Sequence, residues 1–225
     1  MIRRDYILQM IEEFARALAR INSLKAGQRW NEAAEELDVE FKKLVGEGAP
    51  ALARLSETEL LARLMREGPT QALRDKTLIL TTLLKEAGDV AAAQGQAEAG
   101  RGFYLKALHL LLEVLGGEAR LEYPEFVPKV EMLVAALEPE PLPVHTQAML
   151  MHHYEQTEQY ARAEDALYTM LEAEPDNAKI VEFGIAFYRR LLSQSDAALS
   201  EANLPRAEAE EGLKELQGRR KGGAN

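Results

Sequence analysis

Four histidines, His109, His145, His152 and His153, carry the widest chemical repertoire in this chain. A metal centre wants histidine and carboxylate on one helix face, three or four residues apart. His152 with Glu155 and His109 with Glu113 approach that spacing. Neither belongs to an H-E-x-x-H pair, and His153 sits about 100° round a helix from His152. The expectation is surface or groove histidines and no resident metal. Adjacent carboxylates recur at Glu12-Glu13, Glu35-Glu36 and Glu210-Glu211. Neighbouring positions diverge on a helix, so these pairs read as solvated faces. Gly88, Gly95 and Gly100 lack the preceding strand and the closing G-K-[S/T] of a phosphate loop, and read as helix-packing glycines. The chain has no cysteine, which excludes disulfides, thiolate metal sites and cysteine nucleophiles. No serine, histidine and acid grouping suggests a triad. Neither a catalytic residue nor a cofactor is expected.

The elements that must hold any such residues are helices. Ile7, Ile11, Phe14, Leu18 and Ile21 step by four and three, with Asp5 placed to cap the start. Trp30, Ala33, Ala34, Leu37, Phe41 and Leu44 repeat the stripe after Gly27. Ser56-Glu57-Thr58-Glu59 is a capping box ahead of Leu60, Leu61 and Leu64. Gly68-Pro69 ends one helix and opens the next. Two helices flank Gly95, another follows Pro124, and Pro139, Pro141 and Pro143 mark a stiff connection. From Val144 to about Ser193 the pattern is helix, turn, helix, turn, helix, with breaks near Glu158 and at Pro175-Asp176-Asn177. No window alternates long enough to make a strand, so the fold class is all-α.

Length and charge set the outer limits. The chain has 225 residues, 47% of them hydrophobic and 28% charged. That apolar content excludes wholesale disorder. Its 27 basic against 37 acidic residues leave a net charge of −10, a sign that repels phosphate and argues against nucleic acid or anionic membrane as partners. The longest apolar run, Met132 to Leu137, is far short of the roughly 20 residues of a spanning helix. The start, MIRRDYILQMIEEF, has no continuous apolar core of a signal peptide. A cytoplasmic, bacterial protein is the expectation.

Internal similarity is the most informative feature. Leu150, Tyr154, Tyr160, Ala163, Leu167 and Pro175 set a frame. Leu84, Gly88, Gly95, Gly100, Tyr104 and Ala107 follow it with small residues where two helices approach. Leu24, Trp30, Ala33 and Leu37 follow it again. On these residues the chain resembles the tetratricopeptide repeat, a pair of antiparallel helices of about 34 residues. The resemblance implies helical hairpins near 14–46, 81–114 and 144–177, stacked as an irregular α-α superhelix. The chain reads as a single domain over 1–200; over 201–225 a charged helix whose only strong apolar residues are Leu213 and Leu216 reads as weakly docked, and the polar, glycine-rich GRRKGGAN as a disordered basic tail. The segments MIRRDYILQMIEEFARALARI, KAGQRWNEAAEELD and KEAGDVAAAQGQAEAGRGFYLKALHLLLEVL also resemble a bacterial family of small helical proteins of unknown function, which supplies no catalytic residues.

In a tetratricopeptide-like stack the first helix of each hairpin lines a concave groove. The resemblance therefore implies groove positions at Thr82, Lys85 and Asp89; at His145, Ala148, His152, Glu155 and Gln156; and at Lys179, Glu182, Ala186, Arg189 and Arg190. Asp89 and His152 stand where the chaperone-binding relatives would want asparagine, so a chaperone tail is not the expected guest. The expected function is a non-enzymatic adaptor that binds a protein or peptide segment, with Lys179, Arg189 and Arg190 suited to an acidic or C-terminal segment. The alternatives are a structural homo-oligomer, such as a homodimer, and a small-ligand or metal-binding enzyme using His145, His152 and Glu155.

Overall fold

The step of three and four residues between Ile7 and Ile21 becomes one face of α1 (Ile2–Ala26), where Phe14, Ala17 and Ile21 are buried. This helix starts at Ile2, so Asp5 falls inside it rather than at its cap. A turn through Gln28, at φ 55°, leads to α2 (Trp30–Val45), which buries Ala33, Leu37 and Phe41. After α3 (Ala49–Arg54), the capping box forms as its sequence requires. The Glu59 N–H donates to Ser56 Oγ at 3.2 Å, and the Ser56 N–H donates to Glu59 Oε2 at 2.8 Å. This closes both donors at the start of α4 (Glu57–Met65).

The centre of this part of the chain is α5 (Thr70–Ala93) with α6 (Ala97–Gly116), joined at Gly95 in the left-handed region at φ 77°. Their close contact depends on missing side chains. A Cβ on Gly100 would sit 3.1 Å from the Gly88 carbonyl oxygen, and one on Gly88 would enter the Tyr104 ring. Leu108, Leu110 and Leu111 of α6 are fully buried. After α7 (Val130–Leu137), Arg101 of α6 donates to the Leu137 carbonyl at 2.7 Å and the Pro141 carbonyl at 2.9 Å. That guanidinium ties the proline-rich connection to the body it leaves.

The structure, a computed structural model, describes residues 2–65, 70–116 and 123–222, and among the described residues there are twelve helices and no strand. The expected break at Gly68-Pro69 lies outside the described residues. No helix among those described is long and apolar enough to cross a membrane. The chain divides into two compact units, Met1–Pro141 and Leu142–Asn225. The division falls in the proline-rich connection, not at residue 200.

The second unit begins with α8 (Val144–Gln156), α9 (Tyr160–Ala173) and α10 (Ala178–Leu191). Glu158, at φ 59°, turns the chain between the first two. Asn177 caps the third by accepting from the Lys179 N–H at 3.0 Å. Ala163 is fully buried, with Tyr160 and Leu167 beside it. A short α11 (Asp196–Glu201) follows, and α12 (Arg206–Gly222) closes the chain.

The sequence pattern suggests weak docking for that last segment, yet α12 packs along α10 and buries Ala209, Gly212 and Leu216. The contact is reciprocal: Leu216 fills the space a side chain would take at Gly184, and Tyr188 fills that at Gly212. Small residues at Gly184 and Gly212 are what allow the approach. Of the basic tail, 218–222 is helical, and 223–225 lies outside the described residues.

Candidate functional site

The residues expected to form one groove part into two groups. Thr82, Lys85 and Asp89 lie on α5 in the first unit; the others lie on α8 and α10 in the second. Thr82 is buried, its hydroxyl donating to the Leu78 carbonyl at 3.0 Å. Lys85 and Asp89 belong to a half-buried ion cluster. Lys85 Nζ reaches Asp89 at 2.9 Å and Glu86 at 3.1 Å. Lys25, from the end of α1, bridges the same two carboxylates. Tyr104 of α6 donates its hydroxyl to Asp89 Oδ1 at 2.9 Å.

This cluster carries two cations and two anions, so its charges cancel. Burial pushes the Asp89 carboxyl up, but its bonds to Lys25 and Lys85 outweigh that and bring it below the ordinary value. Burial pulls Lys85 down, and Asp89 and Glu86 more than restore it. Burial first, and Asp89 second, hold the Tyr104 hydroxyl protonated well above its usual range. A tyrosine and a lysine held so firmly in their ordinary states are poor acid–base catalysts. The cluster joins α1, α5 and α6. Sequence spacing shows the Lys85–Asp89 step of four, but not the arrival of Lys25 and Tyr104 from other helices.

In the second unit α8 and α10 face a shared concavity of about 600 Å³. His152, Glu155, Gln156 and Arg190, all expected groove residues, line it together with Tyr160, Phe183, Leu191, Ser193 and Gln194. Glu155 and Arg190 meet across it through two parallel bonds, Nε to Oε1 at 2.6 Å and Nη2 to Oε2 at 2.8 Å. That bond to Glu155 raises the Arg190 guanidinium above its already high value. The Gln156 amide and the His152 ring meet at 3.1 Å. Phe183 carries a signal that sequence reasoning left unused: it lies four residues after Lys179 and seven before Arg190, on one helix face.

The remaining expected positions fall outside this concavity. His145 and Lys179 are exposed without lining it. Arg189 sits about 100° round the helix from Arg190, so the two arginines do not act as one grip. Glu182 shares Arg189's side of α10 and lies 3.8 Å from Arg220 of α12. Ala148 and Ala186 are half-buried. Arg190 already holds the Glu155 carboxylate, and Arg189 lies on another side of α10.

Among the described residues no group of three or more histidines, aspartates or glutamates could hold a metal ion. His109 lies 3.6 Å from Glu57 in the first unit, across helices rather than along its own. The His153 ring leans on Tyr154 at 5.7 Å.

A sequence profile of a family of unknown function, DUF6483, matches residues 1–221, and the chain belongs to that family. No curated protein and no solved structure matches it.

Proposed function

We propose that this member of the DUF6483 family is a non-enzymatic protein-interaction module whose α8–α10 groove takes an apolar anchor residue from a protein or peptide segment. The observation that carries the reading is the groove's composition. An aromatic and aliphatic lining of Tyr160, Phe183 and Leu191 is rimmed by uncharged polar groups and one internally neutralised ion pair. Such a site rewards burial of an apolar side chain and offers polar groups to fix a backbone. A charged guest residue would be desolvated with no free partner of opposite sign.

A tetratricopeptide-like arrangement belongs to the same proposal. It is supported by α8 beginning at residue 144 and α10 at residue 178, one period of about 34 residues. Support also comes from the first helices of successive pairs flanking the groove. A bacterial cytoplasm is the setting we assign, where a chain without cysteine folds with no redox requirement.

The test is selection of peptides from a displayed random library on the immobilised full chain. Enriched peptides share a large apolar residue, and their affinity falls at least about tenfold with Phe183→Ala, the loss of roughly 1.4 kcal/mol. Arg189→Glu, outside the groove, leaves them bound. Peptides that tolerate both Phe183→Ala and Gln156→Arg in a folded protein refute the groove assignment.

A further inference from the structure

The contact between α10 and α12 ends in a half-buried acid that the groove does not use. Tyr188, fully buried on α10, lies in the space open at Gly212 of α12 and donates its hydroxyl to Glu164 Oε1 of α9. One turn further along α9, Tyr168 donates its hydroxyl to Glu215 Oε2 of α12 at 2.9 Å. Three helices thus meet through two tyrosines and two carboxylates. We propose that Glu164 is a proton-controlled latch for the C-terminal helix, which docks tightly on α10 when this carboxyl is protonated and loosens when it is charged.

The surroundings supply the reason. The groups that act on Glu164 are Asp165 from its own helix, Tyr188 from α10, and Glu208 and Glu215 from α12. Every charged one among them is an acid. Arg219 is committed to Glu215 Oε1 at 2.8 Å, Arg206 to Asp196 of α11, and Arg220 to Glu182. Burial is the largest influence and raises Glu164 above its ordinary 4.5; the Tyr188 hydroxyl opposes this, and the three acids add to it. Undocking α12 removes Glu208 and Glu215 and admits water to the carboxyl. The docked state therefore binds the proton more tightly than the open one. By linkage, docking is strongest below the ordinary carboxylate range and weakens as pH rises through the raised value.

Amide hydrogen exchange of the full chain, corrected for intrinsic rates, reads this directly. Between pH 4 and 8 the protection of α12 amides is expected to fall several-fold as pH rises, as judged over about that range. Glu164→Gln keeps an acceptor for the Tyr188 hydroxyl but has no proton to lose, so its α12 protection stays flat and exceeds wild type at neutral pH. A second measurement holds if that variant folds poorly by circular dichroism. The midpoint of the wild-type protection change must then coincide with the Glu164 carboxyl titration followed by carbon-13 NMR. Wild-type protection independent of pH, an unchanged pH profile in the glutamine variant, or midpoints that disagree overturn the latch. The groove reading is untouched by these outcomes, since none of them reads peptide binding.

Discussion

Replacing Gly88 with alanine tests the most demanding contact in the first unit. An added Cβ would lie 2.5, 2.7 and 2.8 Å from Tyr104 Cε1, Cδ1 and Cζ. All three are closer than van der Waals contact allows, and the ring has little room to retreat, being 8% exposed. Its hydroxyl is also tethered to Asp89, which Lys25 and Lys85 hold in turn. Overpacking of this kind costs about 1–3 kcal/mol. Weakening a hydrogen bond to a charged acceptor adds up to about 1.5–3 kcal/mol. Against these stands the helix-propensity gain of alanine over glycine, about 1 kcal/mol. The expected net loss is roughly 1.5–5 kcal/mol. Gly102, on α6 in the same unit, is the internal control. A Cβ there meets only the flexible end of Lys106 at 4.0 Å, so Gly102→Ala keeps the propensity gain of about 1 kcal/mol without a clash. Urea unfolding followed by fluorescence of Trp30, the single tryptophan, reports on this unit because α2 lies within it. The two variants shift the midpoint in opposite directions. A Gly88→Ala protein as stable as Gly102→Ala refutes the packing of Tyr104 on α5.

Ala163→Arg, at a position with no exposure, places a charge and excess volume between helices and lowers stability by more than about 3 kcal/mol in thermal or denaturant unfolding of the second unit. Ser56→Ala removes the acceptor for the Glu59 N–H and costs about 1 kcal/mol, read in the same way for the first unit. A double-mutant cycle on Glu155 and Arg190, whose side chains are 16% and 50% exposed, yields a coupling no larger than about 1 kcal/mol. Asp89 gives the first unit an acid limit: its folded-state value lies below the ordinary 3.8, so its contribution is present above that range and is lost as pH falls through the lowered value. Asp89→Asn flattens that dependence in Trp30-monitored acid unfolding.

Helix positions were legible because each depends on neighbours in the chain. The capping box at Ser56, the apolar stripe of α1 and the breaks at Gly95, Glu158 and Pro175-Asp176-Asn177 are local signals, and the structure places helix ends beside the box and the breaks. His152, Glu155, Gln156 and Arg190 line one concavity, and their spacing along α8 and α10 shows which of them share a helix face. Lys85 and Asp89 lie in the first unit, where they bond to Lys25 and to each other.

The sequence by itself determined an all-α chain, its turns, and which residues lie on each helix's apolar stripe, since periodicity and capping act over one or two turns. Only the tertiary structure decided which helices meet and what their polar side chains bond to. Lys25 reaches Asp89 over 64 positions, Glu155 reaches Arg190 over 35, and Tyr188 reaches Glu164 over 24. The docking of α12 shows the same division most clearly. In sequence, Gly184 and Gly212 are merely weak helix formers. In the fold each is a recess filled by a large side chain of the opposite helix, because close packing depends on shape across a contact, and local pattern carries no record of the partner.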